Sequence, residues 1–182
     1  MFYSTILVDP PWKVKRGPAS LHKKNQPSRD LTYATMSVKE IAQLQLPAAR
    51  DCHLYLWTIN KYLEDSYAIA RAWGFKPSTM LVWAKPPMGR SLGGTYGISI
   101  EYLLFCRKGA LRANGREWRN WWEIPRKSGH STKPEFFHQL IEKHSPGPHL
   151  ELFARKPRLG WTCIGNEITG NDVRVDLERL TQ

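Results

Sequence analysis

Apolar residues in this chain gather in short blocks that end in polar, glycine or proline punctuation. Ile6-Leu7-Val8, His53–Thr58, Thr79–Trp83, Ile98–Cys106, His149–Arg155 and Trp161–Ile164 have the length and composition of buried strands. Helical signals lie between them. Ser37 with Glu40 forms a capping box for a short helix ending near Pro47. Leu63, Tyr67, Ala70 and Trp73 recur at helical spacing, so a helix capped by Asn60 runs through Ala72 and stops at Gly74. Thr132 and Glu135 read as a second capping box, with Pro134 in the first turn. Phe136, Phe137, Leu140, Ile141 and His144 give that helix its apolar side. Strand, polar end and helix in alternation predict an α/β fold. Residues 1–182 read as a single domain, with 171–182 as a polar surface tail.

Composition narrows this picture. A chain of 182 residues with 41% hydrophobic content and 12% aromatics buries a real core and is not a disordered segment. No apolar run approaches the ~18 residues of a membrane span, so no membrane contact is expected. The strand at the very start leaves no room for a signal peptide, which points to the cytoplasm. Cys52, Cys106 and Cys163 are scattered among apolar residues and read as buried free thiols in a reducing compartment. With no CxxC or HExxH spacing, no metal site is expected.

Charge adds a partner. The formal net charge is +11, and it is concentrated. Lys13 to Arg29 holds six basic residues and no acid; Arg107 to Lys133 holds eight against Glu117 and Glu123. Clusters in polar, loop-like segments suit phosphate contacts, so nucleic acid is the expected partner. Residues 13–30 read as a mobile loop over a site, and the glycine-rich Met88–Gly97 as a lid. Among Trp118, Trp121 and Trp122, stacking on bases competes with packing, and packing is expected for two of the three.

The densest chemistry lies at Asp9-Pro10-Pro11-Trp12, where the first strand ends in a carboxylate, two prolines and an indole. Prolines cannot continue a ladder and offer only carbonyl acceptors. A carboxylate and a carbonyl beside an aromatic face suit a planar donor such as the exocyclic amine of a base. A turn cap with a core tryptophan is the competing reading. Glu101, inside a strand, either faces solvent at a sheet edge or faces the cleft.

Asp9-Pro10-Pro11-Trp12, Tyr33-x-Thr35-Met36-Ser37, Leu56-Trp57-Thr58, Thr132-Lys133-Pro134, Glu151-Leu152-Phe153-Ala154-Arg155 and Gly160-Trp161 through Gly165-Asn166 occur in one order. That ordered set resembles the MT-A70 family of S-adenosylmethionine-dependent adenine-N6 methyltransferases, over roughly residues 3–168. The resemblance implies a single-domain Rossmann-like methyltransferase fold: a mostly parallel seven-stranded sheet in permuted motif order, with helices on both faces. It implies S-adenosylmethionine as cofactor and S-adenosylhomocysteine as product. Asp9, Pro10, Pro11 and Trp12 are then the catalytic corner; Asp9, Lys133, Arg155, Asn166 and Glu167 are the cofactor-binding set. Trp12, Lys13, Lys15, Arg16 and Glu101 are the expected contacts to the substrate. Where the eukaryotic members have His-Asn after the arginine and Gln after the asparagine, this chain has Pro157-Arg158 and Glu167. The compact form resembles bacterial or phage DNA-modification enzymes, so DNA is favoured over RNA. Cytosine N4, a non-catalytic scaffold, and a homodimer or partner protein completing the groove remain alternatives.

Overall fold

The computed structural model describes residues 1–14, 35–86, 95–126 and 132–182. The 13–30 loop and the 88–97 lid, with Lys15, Arg16, Tyr33 and Ser131, fall wholly or largely outside the described residues. The strands are β1 (Tyr3–Val8), β2 (Ala48–Thr58), β3 (Lys76–Ala84), β4 (Ile100–Lys108), β5 (Trp121–Glu123), β6 (His149–Leu152) and β7 (Trp161–Ile164). The helices are α1 (Val38–Ala42), α2 (Leu63–Ala72), α3 (Glu135–His144), α4 (Asn166–Thr169) and α5 (Val173–Thr181). The strands form one seven-stranded sheet in the order β5-β3-β4-β2-β1-β6-β7. β4 is antiparallel to both its neighbours, and the other pairings are parallel, as expected for the mostly parallel sheet.

The period of two along each strand divides the core into two layers. Ile6, Val8, Leu54, Leu56, Leu104, Leu150 and Leu152 share a cluster with Ile41 of α1, Ile69 of α2 and Leu177 of α5. Leu7, Tyr55, Trp57 and Leu103 point the other way and pack with Phe137, Leu140 and Ile141 of α3. Helices therefore cover both faces.

Several local expectations change. Ser37 and Glu40 form their capping box, but α1 ends at Ala42, well before Pro47. Asn60 opens a 3₁₀ turn (Asn60–Tyr62) and does not cap α2. Thr132 and Glu135 form no box: α3 is capped by Pro134 without a side-chain bond, so Lys133 lies ahead of the helix. The expected polar tail contains α5, whose Val173 and Leu177 are buried and whose Asp172 caps Arg174 N–H. β5 forms in a stretch expected to be loop, and where two of Trp118, Trp121 and Trp122 were expected to pack, Trp122 packs while Trp118 and Trp121 are exposed. Cys52 and Cys106 are buried, their thiols pushed up to about 12 chiefly by desolvation, while Cys163 is only partly covered. Among the described residues no helix is long and apolar enough to cross a membrane.

Candidate active site

The corner after β1 is built by backbone bonds that the prolines make possible. Pro10 carbonyl accepts Trp12 N–H at 2.8 Å, an i to i+2 turn that fits the fixed φ of Pro11. Pro11 carbonyl accepts Met36 N–H at 3.1 Å, joining the corner to the entry of α1. Trp12 is buried, stacked on Tyr62 at 4.8 Å between centroids, and its indole N–H donates to Trp57 carbonyl at 3.1 Å. Most of that ring is wall, as the packing reading had it. A carbonyl oxygen has two lone pairs, so the turn leaves Pro10 able to accept once more.

Asp9 emerges from this rigid turn with its side chain 22% exposed, and its Oδ2 accepts from Lys133 Nζ at 2.7 Å. Lys133 also lies 3.4 Å from Glu101 Oε2, and Lys85 Nζ donates to Glu101 Oε1 at 2.8 Å. Each lysine rides over an aromatic ring 5.2 Å away, Lys133 on Trp57 and Lys85 on Trp83. The result is a linear chain of alternating charge, Asp9–Lys133–Glu101–Lys85, with Arg126 3.9 Å from the same Glu101 oxygen. Burial pushes the Asp9 carboxyl above its ordinary range, more than Lys133 draws it down. Burial acts the same way on Glu101, but Lys133 and Lys85 together overcome it and hold that carboxyl low. Burial would lower Lys133, yet Asp9 and Glu101 keep its ammonium charged and raise it.

A cavity of about 360 Å³ opens at this end of the sheet, within the usual range for small-ligand sites. One side holds Asp9, Pro10, Trp12, Glu101 and Lys133; the other holds Phe153, Arg155, Asn166, Glu167 and Asp172. It sits at the C-terminal ends of β1, β2, β6 and β7, where open α/β sheets bind ligands. Between the lining residues Phe153 and Asn166 the backbone makes a close approach. Gly165 has φ 140°, and a Cβ there would come within 3.0 Å of Phe153 Cα; Phe153 itself has φ 60°. Backbone of that kind persists where surrounding structure enforces it, often against a ligand.

Asp9, Pro10, Pro11, Trp12, Glu101, Lys133, Arg155, Asn166 and Glu167 thus line one cavity. Glu101 is the cleft residue of its two readings. Lys13 is exposed, and it is its carbonyl that is used, accepting from Tyr62 hydroxyl at 2.5 Å. Arg155 and Glu167 lie 3.6 Å apart. Arg158 is drawn away toward Glu135 and Glu142 of α3, so its departure from the eukaryotic pattern falls outside the cavity lining. Lys85, Phe153, Asn171, Asp172 and Val173 were missed. The Asp172 cap and the spacing of Val173, Leu177 and Leu180 are hidden by the polar residues around them, and the role of Lys85 depends on a strand pairing that sequence does not display.

A donor and acceptor set of this kind fits a nucleoside carrying an amino-acid tail. Carboxylates at Glu167 and Asp172 match ribose hydroxyls, the amides of Asn166 and Asn171 match a base edge, and Arg155 matches a carboxylate. The model of the MT-A70 family matches residues 3–167. The chain is 31% identical over 192 residues to "Type II methyltransferase M.MunI" of Mycoplasma sp, covering 95% of this chain and 81% of that protein. It is 27% identical to "N(6)-adenosine-methyltransferase MT-A70-like protein" of Drosophila melanogaster, over 99% of this chain and 29% of that one. It is 24% identical to "N(6)-adenosine-methyltransferase catalytic subunit METTL3" of Homo sapiens, over 92% of this chain and 28% of that one. The chain therefore spans less than a third of either animal relative.

Proposed function

The chain belongs to the MT-A70 family of S-adenosylmethionine-dependent N6-adenine methyltransferases, and we propose that it methylates the N6 amine of adenine in DNA. The observation that carries this reading is the juxtaposition, in one cavity, of the Asp9–Pro10 acceptor pair with the Arg155, Asn166, Glu167 and Asp172 set. The N6 lone pair of adenine is delocalised into the ring and is a poor nucleophile. Hydrogen bonds from its two N–H groups to the Asp9 carboxylate and the Pro10 carbonyl turn the nitrogen toward tetrahedral geometry. They also stabilise the positive charge that develops on it, through acceptors fixed before reaction begins. A carboxyl whose proton affinity burial has raised is suited to receive the amine proton afterwards.

The cofactor, when bound, supplies a methyl group activated by a sulfonium. Arg155 would hold its carboxylate, Glu167 and Asp172 its ribose and Asn166 its base edge, with Asp9 available to the reacting end; all five line the one cavity. Glu101 would border the target base, and Lys133, between Asp9 and Glu101, would stand with the cofactor set. Reaching N6 requires the base to leave the stack, and unstacking costs least where the adenine is not paired. DNA is favoured because the Mycoplasma relative, described as a type II methyltransferase, is covered over most of its length. A cytoplasmic bacterial or phage-infected setting goes with that substrate. The animal relatives, named for adenosine, make RNA the second reading, and the description of the human one as a catalytic subunit makes a partner protein the second assembly.

The test is transfer of labelled methyl from S-adenosylmethionine to matched DNA and RNA, followed by nucleoside analysis. Label in N6-methyldeoxyadenosine is expected. Label only in N6-methyladenosine or N4-methylcytosine, or no transfer despite cofactor binding, would replace this reading with one of its alternatives.

A further inference from the structure

Two tryptophans are exposed at and just ahead of β5, the edge strand of the sheet. Trp118 is 82% exposed and Trp121 is 58% exposed, whereas the next residue, Trp122, turns inward against Phe136 and Phe137. Among the described residues Trp122 joins the core cluster on its face, and the other two indoles stay outside both core clusters. Arg116 lies over the Trp118 ring at 4.3 Å, and Arg119 and Arg126 are exposed in the same stretch. Between residues 107 and 126 six arginines and lysines stand against Glu117 and Glu123. Glu117 is already within 3.5 Å of Lys143 and 3.8 Å of His144.

Two structural lines lead from this edge to the cavity. Thr58, which lines it, is opposite Tyr102, Tyr102 is opposite Val82, and Val82 is opposite Trp121. Side chains directly opposite share a face, so these four form one row across the sheet. Three strand spacings place Trp121 roughly 15 Å from Thr58, about the length of four stacked nucleotides. On the other side, Trp83 indole N–H donates to Ile124 carbonyl at 2.8 Å, and Arg126 just beyond it reaches Glu101.

Resting on the reading above, we propose that the exposed Trp118–Arg126 edge holds unpaired nucleotides of the strand that carries the target adenine, by stacking bases on Trp118 and Trp121 and phosphates on Arg116, Arg119 and Arg126. A paired duplex buries its base faces, so an indole platform serves a strand whose bases are unpaired, whether DNA or RNA. Self-association is the poorer occupant: β5 is three residues long and flanked by charges, features that protect an edge strand from pairing with another chain.

The test is fluorescence anisotropy of the full chain with labelled oligothymidylate and oligouridylate, which lack adenine, and with a G·C-only duplex. Trp118→Ala/Trp121→Ala is expected to weaken binding to a single strand at least tenfold and to leave duplex binding within about twofold. Trp118→Phe/Trp121→Phe should restore most of the loss. Arg116→Ala/Arg119→Ala should flatten the salt dependence by about one to two counterions. Equal weakening of thymidylate and uridylate assigns the site to either strand; weakening of one assigns it to that class of nucleic acid. Single-strand binding unchanged in the alanine double variant would overturn the proposal. So would sedimentation showing a wild-type dimer that this variant dissolves. Methyl transfer plays no part in this readout, so a wild type that binds oligothymidylate through these tryptophans but transfers nothing refutes the functional reading and leaves the platform.

Discussion

Asp9 and Glu101 share one lysine yet are perturbed in opposite directions, and the difference separates their roles. Asp9 is raised by burial, so the folded chain holds its proton more tightly than the unfolded chain. Stability from this group therefore falls as pH rises from about 4, the unfolded value, through the raised folded one, and ionised Asp9 carries a cost at neutral pH. Asp9→Asn is expected to leave the melting temperature unchanged or higher at pH 7 while methyl transfer is lost. Glu101 is held low by Lys133 and Lys85 against burial, so its contribution is present above about 4.3 and disappears as pH falls through its folded value. Glu101→Gln leaves both lysines short of a partner and should cost about 3 kcal/mol in denaturant unfolding. Lys85 is expected to act through Glu101 and Lys133 as a positioning residue. Lys85→Met removes a cation from the row, so the acid limb of the transfer rate should move to higher pH, and Lys85→Arg should return it. An unchanged limb in Lys85→Met would confine Lys85 to packing on Trp83.

The elements carry these side chains to one place, and they differ in how far the sequence discloses them. β1, β2 and β7 were legible because their apolar blocks end in definite punctuation, and Ser37 and Glu40 announced α1. β5 was not: three residues on a sheet edge, bracketed by arginines, carry too little periodicity to separate from loop. α5 escaped because its polar composition hid the spacing of Val173, Leu177 and Leu180. Its burial makes Leu177→Ala a test of the difference. A tail residue would change stability by less than ~0.5 kcal/mol, whereas loss of a buried leucine costs about 2–5 kcal/mol. Since Asn171, Asp172 and Val173 line the cavity, cofactor affinity should fall in the same variant. Gly165 is constrained in a second way. Gly165→Ala would meet the Phe153 backbone at a φ that L-residues avoid, and calorimetric cofactor binding should weaken by tenfold or more.

At the scale of the molecule, topology explains why residues 9, 101, 133, 155 and 166 meet. β1 lies between β2 and β6, so the chain's first strand is near the middle of the sheet and its end faces the ends of β6 and β7. The ordered motifs let the resemblance anticipate that gathering for Asp9, Lys133, Arg155 and Asn166. The Asp9–Lys133–Glu101–Lys85 order was beyond reach because it depends on the antiparallel placement of β4 beside β3. The +11 charge is likewise a property of the whole: binding of any nucleic acid strand should weaken steeply with salt, and a flat dependence would deny the basic surface its role. The most direct measurement is single-turnover methyl transfer by wild type and Asp9→Asn at saturating S-adenosylmethionine, with cofactor binding followed separately by calorimetry. Removal of one charged acceptor should slow transfer by about 100-fold or more while the cofactor still binds. Transfer at the wild-type rate in Asp9→Asn would contradict a carboxylate that grips the amine.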